Sequence, residues 1–498
     1  MRVTLVYRGR YHVRQATDLE TLAPVLRGGG HEVRLVYDPD TFGVTDNVLQ
    51  VPWLARRLSS PEKAARRVAE TRPDAVVFSV LPATYAWARR AAALAKAGAP
   101  GVPIVFIGLH PSLVPERVMR DPFVDYAVQG ETENVILPLL DAAAGRADPS
   151  GVGNLWYRTD GEVRFTRPAD LADLDALPLP DKELFRPHVS PTYSYTLMVS
   201  RGCPYQCSFC EETCARRPYG PRYFRRKSVE NVMRELVAGK ERYRFREVIF
   251  KDSYLSGNRP WLSDLMDRYR REIGVPFKCF STIQGFDAET ARLLKEGGCY
   301  CVEFGLQTWN DRLRRDILHR GETSDDALRA FACCAEQKLW YDVDHMFALP
   351  TETLEDHIDG VERYRRLRYL NRIKVHYLVY LPTAGIVEHG IEAGAVPADV
   401  HERLADGWES DFYGPASADA AQRAALAGFA ALYKLLPALP GGLLAWLMRG
   451  RRLRWLRRIP MPLMALAQGL MALRSRDRRF AAYLRYYPTK VLRAMVNH

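Results

Sequence analysis

Short β-branched runs alternate with helical patterns in two rounds along this chain, and that rhythm leaves few folds open. In residues 1–147 the runs are Val3–Tyr7, Val33–Tyr37, Ala75–Val80, Ile104–Gly108 and Tyr126–Gly130. They are continuous rather than alternating, as strands buried on both faces require. Helical patterns follow them at Asp18–Arg27, Pro61–Glu70, Thr84–Ala97, Pro115–Arg120 and Glu131–Ala144. This α/β order predicts a doubly wound, Rossmann-like or flavodoxin-like parallel sheet of five strands. Ligands of such sheets bind beyond the carboxyl ends of the strands. Those ends hold Ser79, then Gly108 to Ser112, then Gly130 to Glu133.

Residues 148–190 lose the rhythm. Trp156–Arg158, Gly161 and Val163–Phe165 read as a small hairpin, and Leu177-Pro178-Leu179-Pro180-Asp181 as a stiff connector. The segment is expected to be a linker. Alternation resumes over 191–390, with strands expected at Tyr195–Ser200, Glu247–Lys251, Phe277–Thr282, Tyr300–Leu306, Asp342–Ala348 and Lys374–Tyr380. Six βα units predict a partial (β/α)6 barrel, open on one side, with its site at the carboxyl ends of the strands. Residues 391–498 carry no comparable pattern and predict a basic helical C-terminal domain.

Four cysteines cluster between Cys203 and Cys214, in Ser200-Arg201-Gly202-Cys203-Pro204-Tyr205-Gln206-Cys207-Ser208-Phe209-Cys210 and just beyond. Nine cysteines in 498 residues do not make a disulfide scaffold, so the cluster points to metal or redox chemistry. Three thiolates at C-x3-C-x2-C spacing can hold three irons of a [4Fe–4S] cluster and leave the fourth iron open. Cys214 offers two alternatives: a four-ligand zinc site, or a fully ligated cluster of the electron-transfer kind.

C-x3-C-x-aromatic-C after a first barrel strand resembles the signature of the radical SAM superfamily, with Phe209 at the aromatic position. The resemblance implies a [4Fe–4S] cluster on Cys203, Cys207 and Cys210, with S-adenosylmethionine (SAM) chelated to the open iron. It also implies SAM contacts from Phe209, from Asp252 (Phe250-Lys251-Asp252-Ser253, to the methionine amine), from Ser281 and from Gln307 (ribose). Pro350 lies in Ala348-Leu349-Pro350-Thr351-Glu352-Thr353, which resembles the family's G-L-P-G-E-T stretch beside adenine, with Ala348 and Thr351 in place of glycines.

The first domain resembles the cobalamin-binding domain of the cobalamin (B12)-dependent members. Gly108-Leu109-His110-Pro111-Ser112 is similar to their G-G-x-H-x-T loop, and Asp125 to Glu133 to their D-x-x-x-x-G-E-x-E segment. Ser79, Gly108, His110, Ser112, Gly130 and Glu131 are the cobalamin contacts this implies; His110 is not expected to ligate cobalt. The implied function is C-methyltransfer to an unactivated carbon, through a 5′-deoxyadenosyl radical and methylcobalamin. The alternatives are cyclisation, ring contraction or hydroxylation with the same cofactors, and an Fe–S electron-transfer protein. No catalytic residue beyond the ligands is designated. A flavodoxin- or reductase-type electron donor is the expected partner.

Composition bounds the rest. Hydrophobic residues at 47% and charged residues at 26% exclude wholesale disorder. No apolar run reaches the length of a membrane span, and MRVTLVYRGR has no signal-peptide pattern, so the cytoplasm is the expected location. The net charge of +12 sits in the tail: from Pro415 onward 15 Lys and Arg face two acids, Asp419 and Asp477. Apolar segments at 428–448 and Met461–Leu473 bracket the basic run Arg449–Arg458. They read either as a peripheral membrane contact or as a cap on the barrel mouth. Aromatics are too sparse there for nucleic-acid binding. The substrate is expected to be a small or lipid-like molecule.

Overall fold

The computed structural model describes residues 1–9, 16–40, 52–408, 420–449 and, with short breaks at 450–451, 457, 460 and 476, continues to 477. His12 and the end of the basic tail lie outside the described residues.

The first sheet runs β2(Glu32–Asp38)-β1(Arg2–Arg8)-β3(Ala75–Ser79)-β4(Ile104–Ile107)-β5(Tyr126–Val128), all parallel. Its β-branched strands are buried because helices cover both faces: β1 alternates Val3 and Leu5 toward one apolar cluster and Val6 toward the other. The strand order reverses at β1 and β3, which opens a crevice at their carboxyl ends. The hairpin expected in the linker extends this sheet. β6(Leu155–Thr159) pairs antiparallel with β5, and β7(Glu162–Phe165) with β6, giving seven strands. Asp160 and Gly161 both have positive φ (52° and 79°) and supply the tight hairpin turn.

The second sheet is β8(Ser194–Leu197)-β11(Glu247–Phe250)-β12(Phe277–Ser281)-β13(Cys299–Gln307)-β14(Trp340–Phe347)-β15(Leu370–Tyr377). All neighbours are parallel and β8 does not pair with β15, so the barrel is open. A two-stranded ribbon, β9(Ser200–Arg201) against β10(Arg225–Arg226), lies beyond the end of β8. Along β14, Tyr341, Val343 and Phe347 face the helices, in one apolar core. Asp342 faces the other way, 3.5 Å from Lys278 Nζ; Lys278 and Lys374 both pair with Glu303. The barrel interior thus holds charges matched by charges, the condition under which buried ions are tolerated.

Helix Ala420–Leu435 packs against β15 and helix Leu354–Tyr364. It covers the flank of the barrel, whereas the cap reading puts it over the mouth. Tyr433, fully buried, donates to the carbonyl of His357 at 2.9 Å. Among the described residues no helix is long and apolar enough to cross a membrane. Between the two sheets, Lys182 is buried: it donates to Glu20 (2.6 Å) in helix Thr17–Gly28 and to the carbonyl of Thr196 (2.7 Å) in β8.

Candidate active site

The carboxyl ends of the two sheets face each other across one cavity of about 760 Å³. Ser79, Gly108, Ser112, Gly130 and Glu131 line it from the first sheet; Cys203, Cys207, Phe209, Cys210, Asp252, Ser281 and Gln307 line it from the barrel side.

The cysteine loop follows β9. Gly202 opens it at φ +81°, where a Cβ would stand 2.7 Å from the Tyr223 ring, so only glycine fits. Ser208 fastens its middle: its N–H donates to the carbonyl of Leu318 (3.1 Å) and its Oγ to that of Ile317 (2.5 Å). Cys203, Cys207 and Cys210 are half-buried and line the cavity. Burial pushes all three thiols up, Cys203 to about 11, so metal binding would displace their protons. Cys214 is not among them. It is 4% exposed and packs in an apolar cluster with Leu113, Leu378 and Tyr380. It lies outside the cavity lining that the other three cysteines share.

Asp252 ends just past β11 with its two oxygens in different states. Oδ1 accepts from Val199 N (2.9 Å), Ser200 N (2.6 Å) and Ser200 Oγ (2.6 Å). Oδ2 is buried and has no hydrogen-bond partner among the described residues. Burial pushes the carboxyl up to about 6, against the hydrogen bonds from Ser200 and Val199. Gln307, at φ +70° beside a register shift in β13, likewise keeps Oε1 buried and unpartnered. Ser281 Oγ bonds Ser256 Oγ at 2.8 Å.

Two expected contacts lie elsewhere. His110 is fully buried, stacks on Tyr85 with ring centroids 3.9 Å apart, and does not line the cavity. Pro350 does not line it either. Its turn holds Ala348 and Thr351 both at φ +62°, a strained state for residues with a Cβ. Glu131 reaches the cavity, but its carboxylate is already taken by Arg225, by Arg201 (3.3 Å) and by Ala172 N (3.0 Å). Glu133 takes Arg201. These acids act as struts between the end of the first sheet and the β9–β10 ribbon.

Sequence reasoning misses several cavity residues. Arg320 lies 4.0 Å from Cys207 Sγ, held by Glu322 and by the carbonyl of Gly305. Tyr219, from the barrel side, sits so close to Gly130 (φ +99°) that a Cβ there would meet its hydroxyl at 1.9 Å. Asp18 accepts from Ser79 Oγ at 2.9 Å. Glu211 and Glu212 line the cavity beside Lys251; burial pushes Glu212 up to about 7. Only the Glu pair, adjacent to Cys210, carried a visible signal.

The radical SAM superfamily model matches residues 197–363, and the B12 binding domain model matches residues 12–140. An uncharacterized methyltransferase of Pyrococcus horikoshii is 28% identical over 57% of this chain and 62% of its own length. The anaerobic magnesium-protoporphyrin IX monomethyl ester cyclase of Rubrivivax gelatinosus is 25% identical over 68% of this chain and 62% of its own. The chain therefore spans about three-fifths of the length of these curated relatives. Among solved structures, the radical SAM methyltransferase TsrM of Kitasatospora setae aligns with a TM-score of 0.61, at 19% identity over 79% of this chain and 76% of that one. The cobalamin-dependent SAM radical enzyme OxsB aligns with a TM-score of 0.65, at 14% identity over 96% and 76%. At these identities the likeness to the solved structures is one of fold. The chain therefore carries, in tandem, a B12-binding domain over residues 12–140 and a radical SAM domain over residues 197–363.

Proposed function

We propose that this chain is a cobalamin-dependent radical SAM methyltransferase acting on a carbon of a small or lipid-like substrate. The observation that carries the reading is the shared cavity. Three thiols of one loop, with the fourth cysteine turned into a separate core, face the carboxyl ends of a sheet of the corrin-binding kind. Relatives named methyltransferases support it. The cyclase relatives favour a second reading, ring closure with the same cofactors.

The residues present fit these groups. Cys203, Cys207 and Cys210 would hold the [4Fe–4S] cluster. The open oxygens Asp252 Oδ2 and Gln307 Oε1 suit the ammonium and ribose hydroxyls of SAM, with Phe209 and Ser281 alongside. Arg320 suits its carboxylate. Ser79, Gly108, Ser112 and Gly130 would flank the corrin, with no side chain at the two glycines to hold it off. When bound, the cluster and SAM supply a radical that abstracts hydrogen, and cobalamin supplies the methyl group. The chain's part is orientation and exclusion of water. Ser112 ties two loops together, donating to the carbonyl of Gly108 (2.7 Å) and accepting from Gly130 N (2.9 Å). Tyr219 and Tyr223, stacked with centroids 5.8 Å apart, wall the cavity between the sheets. In this reading 1–147 holds the corrinoid, 148–190 joins it to the barrel of 191–390, and the described residues between 391 and 477 form a helical flank. A flavodoxin- or reductase-type donor supplies electrons.

Anaerobic reconstitution with iron, sulfide and hydroxocobalamin tests the reading. About one cobalamin per chain is expected, with S-adenosylhomocysteine formed in step with methylated product. No bound cobalamin, in protein that keeps its cluster and cleaves SAM, rules the methylation out.

The C-terminal flank supports peripheral contact with an anionic membrane in the cytoplasm. On helix Met461–Arg474, Leu463, Leu466, Leu470 and Leu473 are each more than half exposed, while Met464 and Met471 pack inward. Trp446 and Trp455 lie beside each other, both exposed, with Arg452 over the Trp446 ring at 4.5 Å. An outward apolar stripe beside the Trp446–Arg452 stack suits an interfacial helix.

A further inference from the structure

Three ligand-type side chains converge away from the cavity, on the helix side of β14. They are His345 in β14, Glu352 in the turn after it, and His357 in helix Leu354–Tyr364. One potential ligand atom from each lies within 4.8 Å of the other two. We propose that His345, Glu352 and His357 bind one divalent cation, zinc, as a structural site that fastens the turn 348–353 to the barrel.

The first argument is a polar deficit. The side chains of His357 and Glu352 are 1% and 3% exposed. Yet among the described residues both ring nitrogens of His357 and Oε1 of Glu352 have no hydrogen-bond partner. The nearest approach, His357 Nε2 to Glu352 Oε2, is 3.5 Å, too long for a good hydrogen bond. Among the described residues no lysine or arginine pairs with Glu352. A buried carboxylate facing an imidazole with such poor satisfaction is costly unless something fills the space between them. A cation answers all of these groups at once.

The second argument is that the ligands are already oriented from behind. The Tyr364 hydroxyl bonds His345 Nδ1 at 2.9 Å, which fixes the plane of the ring. The backbone N–H of Leu349 donates to Glu352 Oε2 at 3.2 Å. Phe347 stacks on the His357 ring, centroids 4.3 Å apart and planes 9° from parallel. Such supporting contacts fix ring and tautomer in zinc sites. Zinc bonds of about 2.0–2.2 Å need an inward shift of less than about 1 Å per ligand.

The third argument is mechanical. The turn bracketed by His345 and Glu352 holds Ala348 and Thr351 at φ +62°. Such strain persists where the surroundings over-determine the backbone, and a metal bridging both ends of the turn would do so. Tyr433 and Phe429 roof the site from helix Ala420–Leu435, so no substrate reaches it. Two imidazoles and one carboxylate are a zinc-type donor set; a trapped water would complete it.

The site is independent of the cofactor reading, and its test reads zinc rather than activity. Full-length protein is purified without chelator, reconstituted with iron and sulfide, and analysed by elemental mass spectrometry and zinc-edge X-ray absorption. About one zinc per chain is expected, in a shell of nitrogen and oxygen with imidazole scattering. His357→Gln and Glu352→Gln should each lose most of the zinc while iron and sulfide stay unchanged; Cys203→Ala should lose iron and keep the zinc. A sulfur shell would put the metal on the cysteine loop and overturn the site. Absence of zinc from the wild-type chain, even after incubation with excess zinc, would assign the space to buried water and overturn it as well.

Discussion

Burial without partners sets the residue-scale behaviour. The His110 imidazole is pushed down to about 3 by burial. The unfolded chain takes up a proton below about pH 6.5, whereas the folded chain does not until near pH 3, so the fold loses stability as pH falls between them. The slope is about 1.4 kcal/mol per pH unit for this group. Urea midpoints at several pH values should show it, and His110→Phe, which keeps the stack on Tyr85, should flatten it. Asp252 behaves oppositely. Its carboxyl is raised to about 6, so in the free protein its ionised form is disfavoured and protonation below pH 6 relieves the fold. An ammonium partner needs the ionised form. SAM affinity should therefore fall up to about tenfold per pH unit below about 6. Asp252→Asn should bind weakly at every pH by equilibrium dialysis.

Among the elements, the parallel strands were legible because continuous β-branched runs have few other uses. Their register against a ligand was not. A strand-end motif says which residues arrive at the carboxyl edge, but not which way each side chain turns. Hence Ser79, Ser112 and Gly130 reach the cavity while His110, two residues from Gly108, packs behind on Tyr85. Glu131 was legible as a motif residue, but its partners Arg201 and Arg225 are 70 and more positions away in sequence, so its role as a strut was hidden. The hairpin was legible from its turn, but its docking was not, since β5 is only three residues long. Two substitutions test what these turns hold. Gly130→Ala forces a Cβ into Tyr219 and a side chain to φ +99°; it should destabilise by at least about 1 kcal/mol and lower cobalamin retention. Ala348→Gly removes a left-handed alanine and should stabilise by about 1 kcal/mol, read as a higher melting temperature.

The whole molecule shows what charge counting along the chain could not. The tail's basic excess was visible, but which apolar residues it surrounds depends on how the C-terminal helices pack on the barrel flank. Exposed Leu466 and Leu470 follow from Met464 and Met471 turning inward. Flotation with vesicles of phosphatidylglycerol and phosphatidylcholine should capture the chain, and phosphatidylcholine alone should not. A Leu466→Glu/Leu470→Glu variant should stay behind with its cluster intact. Vesicle-independent self-association through this face would point to a second copy instead. Cys214→Ala should keep its iron and sulfide, because that thiol lies in the apolar cluster with Tyr380 and does not line the cavity.

Lys182 belongs to the connector, yet its ammonium serves helix Thr17–Gly28 and strand β8 together. A polypeptide that stopped before it would take this ammonium away from the Glu20 carboxylate, and one that started after it would leave the carbonyl of Thr196 without that donor. The two halves are therefore not interchangeable modules. A gene broken at the hairpin, or a corrinoid half fused onto a foreign barrel, would have to carry this lysine and both of its acceptors to rebuild the seam.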